Sequence, residues 1–276
     1  MKRVLLDDYR EVFVPRMIKL DNRVDYLLFL ARNLIDTQFR GIYWGLKRLL
    51  RNVEGHVLDV GAGSRFYKRL VSSRATYTAL EIGETQDVFL RSNGDMDLYD
   101  GSRMPYGSNS FDAVLVIEVL EHAASPEVLL REVQRVLKPG GRLFLTVPFA
   151  SKFHFAPYDY WRFTPSGLVA IFSRYAPQID IAIYRRGGDV CVAFHSAMNA
   201  MLGYLFGRSA ISKLIGVALF PIAILFGLLA NLAELLDLGT PENTLGYTVV
   251  GRKRAPPATV LRPVVQDNPI EASASV

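Results

Sequence analysis

The sequence predicts an α/β fold, a largely parallel sheet with helices on both faces. Three observations predict it. From His56 onward, short apolar runs alternate with amphipathic helical stretches, the pattern of βαβ units. A glycine-rich turn, Asp59-Val-Gly61-Ala-Gly63, closes the first run. A carboxylate, Glu81, closes the second run, about twenty residues after the turn.

The predicted strands are Val57–Val60, Thr76–Ile82, Asp95–Tyr99, Asp112–Ile117 and Arg142–Val147, with Gln178–Tyr184 and Thr244–Val250 to follow. Two helices among them carry clear end signals. Ser125–Leu137 has a serine cap, a proline at its first position and the stop Lys138-Pro-Gly-Gly141. Thr164–Ala176 has Thr164 as cap and Pro165 at its first position. Together these segments predict a core domain over residues 56–188, completed by a last strand within 241–254.

Residues 1–55 read as a helical region. Ile42, Leu46, Leu49 and Leu50 recur at helical spacing, with Arg40, Lys47, Arg48 and Arg51 between them. This is the pattern of a helix covering the sheet with its basic face in solvent, and no nucleic-acid partner is expected. The tail 255–276, rich in Pro, Ala and Ser, reads as disordered.

Composition narrows the setting. The formal net charge is +5 and the pI is near 9.3, a balance that suits an anionic substrate or surface. One cysteine, Cys191, excludes a disulfide framework and any multi-cysteine zinc site. The opening Met1-Lys-Arg-Val-Leu-Leu-Asp-Asp has charges where a secretion signal needs an apolar core, so a cytoplasmic location is expected.

Residues 189–240 form an apolar insert. Leu214 to Ala230 is uninterrupted by charge, with Pro221 inside it. With its flanks the run approaches the ~20 residues that cross a bilayer core. A single span would strand the chain on the far side, so a hairpin or a pair of interfacial helices is expected. Arg185, Arg186, Arg208, Lys213, Arg252, Lys253 and Arg254 surround the insert and would suit an anionic cytoplasmic leaflet. Membrane contact through residues 190–236, at the inner face of the cell membrane, is the expectation; a homodimer through the same helices is the alternative.

At the glycine turn the backbone can approach a ligand closely, and a helix beginning there would offer free N–H donors to a carboxylate or phosphate. Glu81 can accept hydrogen bonds from both hydroxyls of a ribose. These features alone do not separate a nicotinamide from S-adenosylmethionine.

Five blocks occur in one order: Asp59-Val-Gly-Ala-Gly63, Asp100-Gly-Ser-Arg-Met-Pro-Tyr106, Ser110-Phe-Asp112, Glu118-Val-Leu-Glu-His122 and Arg135-Val-Leu-Lys-Pro-Gly-Gly141. Together they resemble the class I methyltransferases that include the ubiquinone and menaquinone pathway enzymes. The resemblance covers about residues 56–184. It implies a Rossmann-like seven-stranded sheet with an antiparallel last strand, and S-adenosylmethionine as methyl donor. By position it implies that Asp59, Gly61 and Gly63 contact the methionine part, Glu81 the ribose, and Asp100 and Gly101 the adenine. Ile82 and Val119 supply apolar faces for the adenine, and Glu118 belongs to the same cofactor set. The family usually has a third glycine where this chain has Arg65, a departure expected to alter the packing of turn on helix or to bring a guanidinium to the donor carboxylate.

Methyl transfer is an in-line displacement at a sulfonium, so the protein mainly aligns donor and acceptor. An oxygen acceptor also needs a base or a metal to take its proton. Glu118, Glu121 and His122 could hold a divalent ion, as similar blocks do in some quinone O-methyltransferases; hydrogen bonds pinning the loop are the competing reading. The block His154-Phe-Ala-Pro-Tyr-Asp159-Tyr-Trp-Arg162-Phe-Thr164 follows the fifth strand. It resembles a subgroup associated with cell-surface glycan biosynthesis. His154 is the candidate base, Asp159 its orienter or itself the base, and Arg162 a holder of phosphate or carboxylate. The expected activity is methyl transfer to a glycan, glycolipid or lipid-linked small molecule. A quinone or isoprenoid O- or C-methyltransferase, and a non-catalytic S-adenosylmethionine-binding module, are the alternatives.

Overall fold

The computed structural model describes residue 20 and residues 22–83 and 96–255. Two helices open it, α1 (Arg23–Ile35) and α2 (Thr37–Leu50). Each has a side-chain cap: Asn22 accepts from Asp25 N at 2.8 Å and Asp36 from Phe39 N at 2.9 Å. Seven strands follow: β1 (Gly55–Val60), β2 (Ala75–Ile82), β3 (Asp97–Tyr99), β4 (Phe111–Ile117), β5 (Leu137–Pro148), β6 (Ile179–Arg186) and β7 (Gly246–Lys253). They form one sheet in the order β3-β2-β1-β4-β5-β7-β6. All neighbouring pairs from β3 to β5 are parallel, and β7 runs antiparallel to both β5 and β6. The seven-stranded sheet with an antiparallel last strand is therefore present.

Both faces of the central strands are covered. Leu58, Val114 and Val116 pack toward α3 (Pro126–Val136) and α4 (Pro165–Tyr175). Their neighbours Val57, Ala113 and Leu115 pack toward α1 and α2. Alternate residues of one strand thus enter two cores, which is why these strands read as continuous apolar runs. Thr164 caps α4 by accepting from Gly167 N at 3.0 Å; Ser125 precedes α3 without such a bond.

Three expectations need correction. No α-helix follows the glycine turn: Phe66–Leu70 is one short 3-10 segment, so the anticipated helix N-terminus does not exist there. The Lys138-Pro-Gly-Gly141 stop is absorbed into the start of β5, where the pairing with β4 shifts register between Phe111 and Ala113. The third strand begins at Asp97, and its predicted first residue, Asp95, lies outside the described residues. Residues 1–19 and 256–276, with the disordered tail expected there, also lie outside them.

The apolar insert is a helical pair between β6 and β7, α5 (Asp189–Gly203) and α6 (Ala210–Leu235), joined through a short 3-10 turn at Tyr204–Phe206. At 26 residues α6 is about 39 Å long. It packs on α5, the Tyr204–Phe206 turn and α1 through small buried residues, Gly216 against Leu205 of the turn and Ala223, Gly227, Ala230 and Ala233 farther along. The fit is close: a Cβ on Gly227 would lie 2.8 Å from Met198 Sδ and 3.1 Å from Ile35 O.

Candidate functional site

The candidate site lies where the carboxyl ends of β1, β2, β4 and β5 converge, the usual ligand position in such sheets. On the cofactor side, Gly61 has φ +67 and Gly63 φ +50. A Cβ on Gly61 would fall 2.5 Å from Val119 Cγ2, so glycine is required both for backbone shape and for the approach of β1 to the loop after β4. A Cβ on Gly101 would lie 3.7 Å from Ile82 Cδ1. The structure thus brings Gly61 beside Val119 and Gly101 beside Ile82.

Two of the three carboxylates of this side, Glu81 and Asp59, are buried. Glu81 accepts from Gly63 N at 2.9 Å and from Ile82 N at 3.0 Å, which ties the acid of β2 to the turn of β1. Asp59 accepts from Tyr77 OH at 2.5 Å. Burial pushes its pKa up to about 7, opposed by the Tyr77 bond and aided by the charge of Glu81. Asp100 is exposed and accepts from Ser102 N and its hydroxyl at 2.9 and 2.6 Å, bonds that hold its carboxyl below the ordinary range.

Arg65 has φ 57 and ψ 33. It adopts the left-handed conformation for which glycine is the favoured residue, so the turn keeps its shape at a strain of about 1 kcal/mol.

The remaining signature blocks act as pins. Arg135 pairs with Glu132 at 2.6 Å and donates to the carbonyls of Met104 and Tyr106, while Glu132 accepts from Met104 N at 2.8 Å. That clamp fixes the segment that carries Asp100. Asp112 accepts from His56 N and from Lys138 Nζ, both at 2.8 Å, and locks three strands together at the end opposite the site.

On the acceptor side, Glu118 has φ 52, a strained conformation for glutamate. Its carboxylate accepts from Arg186 Nη2 at 3.0 Å and Gln38 Nε2 at 3.1 Å. Glu118 is thereby held away from the expected divalent set, whereas Glu121 and His122 do come together, with His122 Nε2 3.7 Å from Glu121 Oε1. Glu121 is fully buried; burial and the neighbouring Glu118 carboxylate raise its pKa well above the usual range. Burial lowers that of His122.

The loop after β5 folds over this turn. Tyr160 N and Trp161 N both donate to Glu121 O, and Trp161 Nε1 donates to Ala123 O. The His154 and His122 rings meet edge to face at 4.9 Å. Asp159 lies between its two expected partners, 3.1 Å from His154 Nδ1 and bonded by both terminal nitrogens of Arg162 at 2.6 and 2.7 Å. The Arg162 fork and the bond from His154 N hold the Asp159 carboxyl below its ordinary value against the effect of burial. Arg162 is thus occupied by Asp159 and by the carbonyls of Trp161 and Lys152, rather than turned toward an acceptor anion.

Sequence reasoning missed Arg186 and Gln38 as the partners of Glu118, and Tyr77 as the partner of Asp59. In the sequence Arg186 stands only as one of the basic residues near the insert; in the structure it is buried at the end of β6.

With this geometry in view, comparison with known proteins is decisive for the core. Residues 58–145 match the family described as methyltransferase domain. That segment is a methyltransferase domain. The match covers about a third of the chain, and the strand order around it is the one expected of the class I kind. A sterol 24-C-methyltransferase of Gibberella zeae is 40% identical over 96 residues, 31% of this chain and 25% of that protein. A ubiquinone/menaquinone biosynthesis C-methyltransferase of Desulfotalea psychrophila is 30% identical over 96 residues, 32% of this chain and 39% of that protein. The chain thus spans about a quarter to two fifths of these relatives' length. One chain of the solved complex between the Haloferax volcanii Trm112 methyltransferase activator and a methyltransferase aligns at a TM-score of 0.50 and 18% identity, over 82% of this chain and 95% of that one. This last match shows a shared fold.

Proposed function

We propose that the protein transfers the methyl group of S-adenosylmethionine to a lipid-linked acceptor, a glycolipid or other small headgroup, while resting on the cytoplasmic face of the cell membrane. The observation that carries the reading is the arrangement of α6. Its small residues face the protein and its large apolar residues face outward, with Ile211 and Leu214 more than 70% exposed. A helix that packs in water does the reverse. Val24, Leu27, Leu30 and Leu34 of α1 are exposed as well, and α1 packs on α6, so the apolar surface spans two helices. It adjoins the acceptor loop, because Lys152 Nζ donates to Asn199 O of α5 at 2.8 Å. An acceptor anchored in the bilayer would present its head group to His154. The acceptors named for the sterol and ubiquinone/menaquinone relatives are also lipids.

In this reading Asp59, Gly61 and Gly63 hold the methionine part of the donor, Glu81 the ribose, and Ile82, Gly101 and Val119 the adenine. Within the acceptor block, Nδ1 of His154 lies 3.0 Å from Lys152 O. Because a carbonyl only accepts, that nitrogen carries the proton and Nε2 has the lone pair. His154 takes the acceptor proton through it, and Asp159 orients the ring.

The test is transfer of labelled methyl from the donor into a membrane lipid extract, with identification of the product, alongside flotation with anionic vesicles. Replacing Leu214, Val217, Leu225 and Leu228 by Gln is expected to weaken vesicle binding at least roughly 100-fold, given about 1.5 kcal/mol or more per buried large apolar side chain, and to leave donor affinity unchanged. Labelled product only in the water-soluble fraction, or full activity of the unfloated protein, would overturn the lipid assignment.

A further inference from the structure

We infer that Glu121, His122 and His154 form a binding site for a divalent transition-metal ion of the zinc class. One ring nitrogen from each histidine and one carboxylate oxygen of Glu121 lie within 4.8 Å of one another. The hydrogen bonds around them fix what each atom can do. His122 Nδ1 is 2.9 Å from Tyr158 O. His154 Nδ1 is 3.0 Å from Lys152 O and 3.1 Å from Asp159 Oδ2. Each of these partners accepts, so each Nδ1 donates and each Nε2 keeps a lone pair. Neutral imidazoles with the second ring nitrogen anchored on a carbonyl or carboxylate are the usual state of metal-bound histidines.

Glu121 supplies the independent observation. It is fully buried, and neither carboxylate oxygen has a hydrogen-bond partner. A buried acceptor without a donor costs roughly 1–3 kcal/mol, and more when charged. One of these oxygens lies 3.7 Å from the Nε2 of His122, itself an acceptor. Two acceptors that face each other need an electrophile between them, and a cation fills that role for both. The Arg162 guanidinium, whose charge acts on Glu121, is already paired with Asp159.

The donor set selects the ion. Two imidazoles and one carboxylate match Zn²⁺ and its neighbours, whereas Mg²⁺ and Ca²⁺ prefer oxygen. Three protein ligands leave a coordination position open. The side chains of His122 and His154 are 21% and 35% exposed, so the open side faces the acceptor region. The site rests on ligand geometry and not on the proposed methyl transfer. If both hold, the ion rather than His154 itself would promote loss of the acceptor proton.

The experiment uses the full chain freed of metal by a chelator and then titrated with Zn²⁺, with Co²⁺ as spectroscopic probe and Mg²⁺ as the hard control. One Zn²⁺ per chain is expected, with a visible Co²⁺ band from nitrogen ligands. His122→Gln and His154→Gln should each weaken Zn²⁺ binding at least 100-fold. Asp159→Asn, which acts only by orienting His154, should weaken it 10- to 100-fold. Affinity for S-adenosylmethionine, measured on the same samples by calorimetry, should stay within twofold in the histidine variants; this separates loss of the metal from loss of the fold. Zn²⁺ affinity that moves less than threefold in both histidine variants would overturn the site, as would a preference for Mg²⁺. A Glu121→Gln variant that melts higher than the metal-free parent while the parent binds no Zn²⁺ would show instead that the carboxyl is a protonated core group.

Discussion

The two halves of the site are built by different means. On the cofactor side, the turn 59–63, Glu81 and the Asp100 loop are shaped by backbone: positive φ at Gly61, Gly63 and Gly101, N–H groups bonded to Glu81, and an approach at Gly61 that admits no Cβ. On the acceptor side, the geometry comes from side chains far apart in sequence. Gln38, Glu118 and Arg186 form one ion-paired cluster, and Glu121, His122, His154, Asp159 and Arg162 form another. A backbone-built site tolerates change in what surrounds it but not in the glycines. A side-chain-built site fails one group at a time. Perturbations of the two halves should therefore separate cleanly.

The largest separation is expected from His154→Ala. Removal of the imidazole should lower kcat by about 10²–10⁴, whether the ring takes the proton itself or holds an ion that does. Donor affinity should stay within twofold, because the bonds and ring contact of His154 run to Asp159, Lys152 and His122. Single-turnover methyl transfer and calorimetry on one preparation check both. Retained turnover would remove His154 from the chemistry.

That contrast also explains how much could be read in advance. The strands, their order of appearance, the glycine turn and Glu81 come from contiguous patterns, and the structure contains each of them. The role of Arg186 could not be read so, because an arginine at the end of an edge strand looks the same whether it meets solvent or a buried glutamate. Glu118 illustrates the same limit. Its spacing from His122 suggested a shared ion, but a positive φ at Glu118 turns its carboxylate toward Arg186. For the insert, hydropathy marked the uncharged run inside α6 but not the helix's full 26 residues; only packing showed that its small residues face inward.

Gly61→Val tests the opposite half. The substitution puts a branched side chain at φ +67 and into Val119, so it should cost about 2–3 kcal/mol of stability and weaken donor binding roughly 30- to 100-fold. Urea unfolding and calorimetry measure the two losses. An unchanged donor Kd would mean that the turn does not approach the donor.

A smaller effect follows from Asp59. Its folded pKa, about 7, lies above that of an unfolded aspartate. Without donor the folded state therefore binds the extra proton, and this group's contribution to stability declines from about pH 4 to pH 7 and is level above. The donor's ammonium group favours the ionised carboxylate, so affinity should rise with pH. Between pH 6 and pH 7.5 the ionised fraction of a group with a pKa near 7 grows about eightfold, and the donor Kd should fall by that factor. Asp59→Asn should weaken binding and flatten the profile. A flat profile in the parent would mean that Asp59 meets no cationic part of the donor.

The smallest effect is expected from Arg65→Gly, where the sequence departs from the family. Arg65 already adopts the conformation that a glycine would, so the backbone of the turn should not move. Relief of the left-handed strain would stabilise the fold by up to about 1 kcal/mol, while the greater freedom of glycine in the unfolded chain opposes it by a similar amount. Net stability should change little. Donor affinity then reports the side chain alone. If the guanidinium reaches the donor carboxylate, the variant should lose about three- to fivefold in affinity, and the loss should shrink with added salt. If Kd moves by less than twofold, Arg65 serves only as a substitute for glycine in the turn, and the cofactor side is backbone-built throughout.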